Sequence, residues 1–358
     1  MSFFIFKEIR MKILEKTLMD IKPLSKLHMD AAKDRLDKLI KPVGSLGKLE
    51  DICIQIAGIK ERKYFDIDKK IIIAFAGDHG VYEEGVAPDP QKITRLQFPN
   101  FTKGICGVGA ISKFIGSDII AIDLGINTDE KLYGVIDYKI RKGTSNMAKG
   151  PAMTREEAIK CLEIGIEVTN ECIEKGYNLI GIGEMGICNT TPSSAIVSVI
   201  AECDPSEVTG IGAGLKKERL AHKANVIRNA IKLNQPDKLD GIDVLSKVGG
   251  FEIGGMAGVI LACAANRVPI VIDGFISYAA ALIAYTINPM VKEYMIASHI
   301  SAEAGALKAL EILKLSPMLN MDMRLGEGSG AALAFNILEA GNYAYRNMAT
   351  IDEVDIGK

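Results

Sequence analysis

Arg324-Leu-Gly-Glu-Gly-Ser-Gly330 sets a single carboxylate, Glu327, between two glycines and directly ahead of an alanine-rich helical stretch. A carboxylate there suits the positive end of a helix dipole. The flanking glycines also withhold side-chain bulk and leave room for a flat ligand, so Glu327 is a candidate catalytic group as well as a helix-start residue. Gly181-Ile-Gly-Glu-Met-Gly186 has the spacing of a dinucleotide fingerprint between a strand and a helix, with Glu202 and Asp204 near the distance of a ribose-binding acid. Its mid-chain position weighs against NAD, as does Asn189-Thr190-Thr191-Pro192, which sets hydroxyls and a helix-starting proline just beyond it. Asp78-His79 resembles a hydrolase or metal dyad, yet no further ligand follows at compatible spacing, and orienting a turn is the plainer role for His79. Lys41-Pro-Val-Gly-Ser-Leu-Gly47 lacks the Gly-Lys-Ser/Thr ending of a P-loop and reads as a turn between helices with Ser45 as N-cap.

The elements that must position these groups alternate along the chain. Expected strands are Ile71–Ala76, Asp118–Leu124, Asn178–Ile182, Glu207–Ile211, Pro269–Ile272 and Tyr294–Ala297. Helical patterns fall between them near Thr94–Phe114, Thr154–Lys175, Pro192–Cys203, Glu218–Leu233, Met256–Asn266, Ser277–Ile287 and Ala302–Lys314. Amphipathic helices occupy Leu24–Ile40 and the stretch after Leu46, and Ala331–Tyr345 closes the pattern. Apolar strands separated by helices indicate a parallel sheet covered on both faces. The expectation is an α/β fold, Rossmann-like and doubly wound, with a smaller helical domain from the chain ends. The boundaries are 66–325 for the α/β domain, and 12–65 with 326–358 for the helical one. Ligands bind beyond the carboxyl ends of such strands. Gly-rich or acidic turns follow several of them, including Gly181–Gly186, Gly210-Ile-Gly-Ala-Gly214, Asp273-Gly274 and Ser298-His299, which suggests a phosphate-bearing ligand.

Composition narrows the classes. A formal charge of −2 over 358 residues gives no footprint for nucleic acid or acidic membranes. The seven cysteines are scattered, with neither a disulfide framework nor a CxxC site, so a reducing cytoplasm fits. The apolar run at residues 3–6 ends at Lys7, too short for a signal core or membrane span, and Met11 is an alternative start. Phe275–Ile287 is the longest apolar stretch and reads as a buried helix.

Together the segments closely resemble the nicotinate-nucleotide:dimethylbenzimidazole phosphoribosyltransferase family. The resemblance is carried in order by Lys41–Glu50, Ala76–Val81 with Glu84–Ala87, Gly181–Pro192, Asp240–Phe251, Asp273–Tyr278, Ser301–Glu303 and Met323–Gly330. It spans about residues 20 to 345.

The resemblance implies nicotinate mononucleotide as donor, a benzimidazole-type base as acceptor, and a homodimer. It also implies Glu327 as general base. Gly186, Asn189, Thr190, Gly210, Gly212, Lys223 and Ser301 would hold the donor and its phosphate, with Lys216 and Lys217 as alternatives to Lys223. Asp89, Gln97, Met185 and Leu325 would line the base pocket, and Asp78, His79, Glu184 and Asp273 would support the site. Asp89 stands where members commonly carry Ser or Tyr. It would either favour bases that present an N–H or O–H donor or hold a solvated turn between Pro88 and Pro90. No cofactor or metal is expected, because a leaving nicotinate that carries a pyridinium charge departs without a Lewis acid. Two readings from other classes stay open: an NAD-dependent dehydrogenase using Gly181, Gly183 and Gly186, and a non-catalytic protein that binds nicotinate nucleotides.

Overall fold

The chain is described by a computed structural model covering residues 13–354; the apolar run at residues 3–6 and Met11 lie outside the described residues. The described strands are β1 (Lys70–Gly77), β2 (Asp118–Gly125), β3 (Ile136–Asp137), β4 (Leu179–Met185), β5 (Ile270–Ile272) and β6 (Met295–Ala297). All pair in parallel, in the order β3-β2-β1-β4-β5-β6. The chain winds outward from β1 to β3, then crosses back to place β4 on the other side of β1. This is the doubly wound α/β topology, and its switch point lies between β1 and β4.

The longer helices are α1 (Lys26–Lys38), α2 (Lys48–Lys60), α3 (Gly107–Ile115), α4 (Arg155–Glu174), α5 (Thr190–Ala201), α6 (Leu220–Asn234), α7 (Gly241–Val248), α8 (Phe251–Ala265), α9 (Phe275–Ile287), α10 (Ala306–Leu313) and α11 (Ser329–Asn347). Side chains alternate across the strands. Ile71, Ile73 and Phe75 of β1 join Ile180 and Ile182 of β4 in a core shared with α4, α5, α7, α8 and α9. Ile72, Ala74 and Ala76 face a second core, built with α1, α2, α3 and α11. Helices from the two ends of the chain therefore form one covering layer of the sheet. Among the described residues no helix is long and apolar enough to cross a membrane, and Phe275–Ile287 is the buried helix its composition predicts.

Three expectations change. Glu207–Ile211 is not a strand: Asp204 and Glu207 form a capping box around a short helix, Pro205–Val208, with the proline at its first position. The expected helix over Thr94–Phe114 is three pieces, Ile93–Gln97, Asn100–Lys103 and α3, with Pro99 and Gly104 at the breaks. Gly47, not Ser45, is the N-cap of α2, and the loop before it is closed by a buried Lys41–Glu50 ion pair at 2.8 Å.

The tightest helix crossing is α4 on α8, where glycines let two backbones touch. A Cβ on Gly258 would lie 2.1 Å from the Leu162 carbonyl oxygen, and one on Gly165 equally close to that of Gly255. Gly258→Ala should therefore lower the thermal midpoint, with an overpacking cost of about 1–3 kcal/mol. Gly150→Ala, with open space around its Cα, serves as the neutral comparison in the same melting experiment.

Candidate functional site

The carboxyl ends of β4, β5 and β6 and the segment after β1 surround one cavity. Asp273 follows β5 directly. Its Oδ1 accepts from the N–H groups of Gly330 (2.7 Å) and Ala331 (3.1 Å), and its Oδ2 from Gly328 (3.1 Å). These bonds satisfy amides at the start of α11 that have no intrahelical partner, and they fix the segment that carries Glu327.

That segment is unusual. Gly326, Glu327 and Gly328 have φ of 79°, 65° and 97°, three successive left-handed residues, and for Glu327 this costs about 1–2 kcal/mol. The glycines flanking Glu327 are thus needed for backbone shape and close approach. A Cβ on Gly326 would stand 2.4 Å from Glu184 Oε1. The Glu327 carboxylate itself is buried, accepting from Gln97 Nε2 and from the Val108 N–H, each at 3.0 Å. Val108 lies in the first turn of α3, so the negative charge sits at that helix's positive end.

Glu184 lies beneath. The Glu327 N–H donates to its Oε1 at 3.2 Å, and Asn189 Nδ2 donates to its Oε2. Burial first, and the neighbouring Asp273 second, push its carboxyl up to about 8. His79 is wholly buried against Glu252, with Nε2 to Oε1 at 2.9 Å. Burial opposes the imidazolium, but Glu252 outweighs it and holds the His79 pKa above its usual value. Asp78 accepts from Thr94 Oγ1 and from the Asn127 N–H, each at 2.8 Å, while Thr94 Oγ1 accepts from the Ile187 N–H at 3.1 Å. Thr94 thereby ties the end of β1 to the turn after β4, one helical turn before Gln97.

Across the cavity, Lys223 on α6 is buried, its Nζ donating to Thr190 Oγ1 (2.8 Å) and the Gly210 carbonyl (3.2 Å). Burial lowers this ammonium to about 8. Gly212, at φ 54°, closes the turn beside Thr190.

Of the residues singled out from sequence, Asp89, Gln97, Glu184, Met185, Gly186, Asn189, Thr190, Gly212, Lys223, Asp273, Ser301, Leu325 and Glu327 line this single cavity. Gly210 lies behind it, reached through Lys223, and Asp78 and His79 are buried below. Lys216 and Lys217 are exposed and do not line it. Sequence reading gave no role to Thr94 or Glu252, and it named His299 only within a strand-end turn and Glu303 only within a motif, assigning neither a part in the site. Of these, Glu252 left a visible signal as the lone charge in the apolar helix α8. His299 is buried, its Nδ1 2.9 Å from Ser298 Oγ and 4.0 Å from Asp273 Oδ1. Among the described residues, no three His, Cys, Asp or Glu side chains converge as metal ligands.

The dinucleotide fingerprint does not survive in three dimensions. Gly181 and Gly183 lie inside β4, not in a strand-to-helix turn, and a Cβ on Gly183 would stand 2.2 Å from the Glu327 carbonyl oxygen. These glycines let the backbone at Glu327 rest on the sheet, so the dehydrogenase reading loses its basis.

A doubly wound sheet whose strand-end cavity sets a buried ammonium opposite a caged carboxylate is an architecture of enzymes that act on small charged ligands. A family model described as "Phosphoribosyltransferase" matches residues 21–356. The chain is 71% identical over 348 residues to the nicotinate-nucleotide–dimethylbenzimidazole phosphoribosyltransferase of Clostridioides difficile (strain 630), covering 97% of this chain and 100% of that protein. It is 54% identical over 347 residues to the protein of that name from Alkaliphilus metalliredigens (strain QYMF), covering 97% and 99%. The crystal structure of CobT from Thermus thermophilus superposes with a TM-score of 0.88 at 33% identity, over 92% of this chain and 99% of that one. The chain belongs to the nicotinate-nucleotide:dimethylbenzimidazole phosphoribosyltransferase family.

The raised pKa of Glu184 has a consequence for stability. Folding favours its protonated form, a contribution complete below the ordinary carboxylate range and lost as pH rises through about 8. Gln is neutral throughout. The melting temperature of Glu184→Gln relative to wild type should therefore climb between about pH 5 and pH 9. A difference that stays constant over that range would mean the carboxyl is ionised at every pH tested.

Proposed function

We propose that this protein transfers the 5-phosphoribosyl group of nicotinate mononucleotide to 5,6-dimethylbenzimidazole or a related base. The products are α-ribazole 5′-phosphate and nicotinate, formed with inversion at the anomeric carbon during cobalamin nucleotide-loop assembly. The observation that carries the reading is Glu327, a buried carboxylate held from two sides across one cavity from the buried ammonium of Lys223.

A benzimidazole nitrogen attacks the anomeric carbon as the bond to nicotinate breaks. The bonding pair returns to the pyridinium ring and neutralises it. The other ring N–H becomes acidic as the new bond forms, and Glu327 accepts that proton, a role typically worth about 10²–10⁴-fold. Gln97, by donating to Glu327, fixes the direction of the remaining carboxylate lone pairs. Met185 and Leu325 offer apolar walls to the base. Half-buried Asp89 at the same cavity would favour bases that carry a hydrogen-bond donor. Lys223, Thr190, Ser301 and the turns at Gly186 and Gly212 hold the donor phosphate, with Asn189 bonded to Glu184 beside them. Asp273, Asp78 and His79 support the site from below.

We also propose a homodimer. Leu96, Ile105, Phe114 and Tyr133 are large apolar side chains left exposed, and burying them against a second copy would remove them from water. The packing of α1, α2 and α11 on one another favours grouping the two chain-end segments, within the expected bounds 12–65 and 326–358, as a helical layer laid on the sheet of an α/β body at 66–325. The scattered cysteines favour a cytoplasmic setting.

Two measurements test the reading. Glu327→Gln keeps size and one acceptor oxygen, which can stay on the Val108 N–H, but removes basicity, so turnover in a chromatographic assay of nicotinate release should fall roughly 10²-fold or more with donor binding largely kept. Near-normal turnover would remove Glu327 from the mechanism, and donor binding with no nicotinate release by the wild type would leave a binding protein. Lys223→Ala should weaken the mononucleotide at least about tenfold and barely affect the phosphate-free riboside. The free ammonium titrates at about 8, so wild-type donor affinity should decline as pH rises past that value and the charge is lost. The variant should lack this decline, and equal losses for both ligands would place the phosphate elsewhere.

A further inference from the structure

We infer that Glu303 is the acceptor for the ribose hydroxyls of the donor nucleotide, an inference that rests on the donor proposed above. Glu303 precedes α10, is buried, and lines the same cavity as Lys223 and Glu327. Its Oε2 is shielded from solvent and receives no hydrogen bond from any described residue. A buried carboxylate oxygen left this way is costly unless a ligand supplies a donor.

Gly210 stands between this carboxylate and the lysine. Its carbonyl accepts from Lys223 Nζ, while a Cβ on its other side would fall 2.1 Å from Glu303 Oε2. The absent side chain brings opposite charges to one end of the cavity. The ammonium nevertheless directs its hydrogen bonds to Thr190 and Gly210, although it senses Glu303 electrostatically. Two separate recognition points result, one for an anion and one for a donor.

The chemistry of the ligand decides what meets the second point. An ionised carboxylate only accepts hydrogen bonds. Near neutral pH the phosphate and carboxylate of nicotinate mononucleotide are acceptors too, and its glycosylated ring nitrogen bears no proton. The 2′ and 3′ hydroxyls are its remaining donors. The acceptor base has an N–H, but in the proposed reaction that proton goes to Glu327. Glu303 therefore faces the diol, with the phosphate drawn to Lys223 and kept off the carboxylate by charge.

The test is calorimetric titration of the full chain with nicotinate mononucleotide, its 2′-deoxy and 3′-deoxy forms, and nicotinate riboside. Wild type should bind at least one deoxy form about tenfold more weakly than the ribonucleotide. Glu303→Gln, which keeps the shape, should reduce that preference severalfold, and Glu303→Ala should bring it close to one. The preference for nucleotide over riboside should stay as in wild type. If the ribose preference is unchanged while the phosphate preference shifts, Glu303 only adjusts the charge of Lys223 and the inference is overturned. If wild type binds no nicotinate nucleotide, the donor reading itself falls, and this inference with it.

Discussion

The carboxylate of Asp273, bonded to three backbone amides at the head of α11, is the contact that holds the site in place. It joins the end of a buried central strand to a helix from the far end of the chain. Without it, those amides would be left without partners in a water-poor interior. They would also have no reason to hold Gly326, Glu327 and Gly328 in a left-handed conformation that only glycine adopts freely. The strain at Glu327 is thus maintained by strong local bonding, and the result is a carboxylate held at the cavity wall against the first turn of α3.

A second constraint is the amount of buried ionisable matter around that contact. Glu184 in β4, His79, Asp273 and His299 just past β1, β5 and β6, and Glu252 in the first turn of α8 all have almost no exposure. Burial of each charge is unfavourable alone. Here the groups share protons and amides: Glu184 is pushed toward its neutral form, His79 toward its cation by Glu252, and Asp273 is held by backbone donors. Such a rigid polar floor offers fixed dipoles to a reaction in which charge moves from a pyridinium ring to a departing proton, and fixed dipoles need no reorganisation during the step.

The glycines serve this floor more than they serve any ligand directly. Gly183 lets the Glu327 backbone lie on β4, and Gly186 presses against the Gly77 carbonyl at the end of β1. Their spacing mimics a dinucleotide fingerprint because both arrangements solve the same problem, bringing a second chain segment to the backbone of a buried strand. Only the identity of that segment differs.

The sheet and the helices near the chain ends were legible in the residues themselves. Runs such as Ile71–Ala76 are apolar on both faces and so can belong only to a covered parallel sheet, and Phe275–Ile287 is too apolar to lie anywhere but inside. Pro205 and the Asp204–Glu207 box also marked a short helix that β-branched residues nearby obscured. Glu327 stood out as a candidate because its glycine-rich turn announces itself locally, whereas Lys223 was reached only through the family resemblance, its neighbours Lys216 and Lys217 reading equally well on local pattern. Three-dimensional packing was needed to show that Thr94 bonds Asp78 and Ile187, that Glu252 meets His79, and that Gly181 and Gly183 serve packing. Each of those facts joins residues tens to hundreds of positions apart. A polar side chain's partner depends on which strands become neighbours, and local periodicity carries no record of that order.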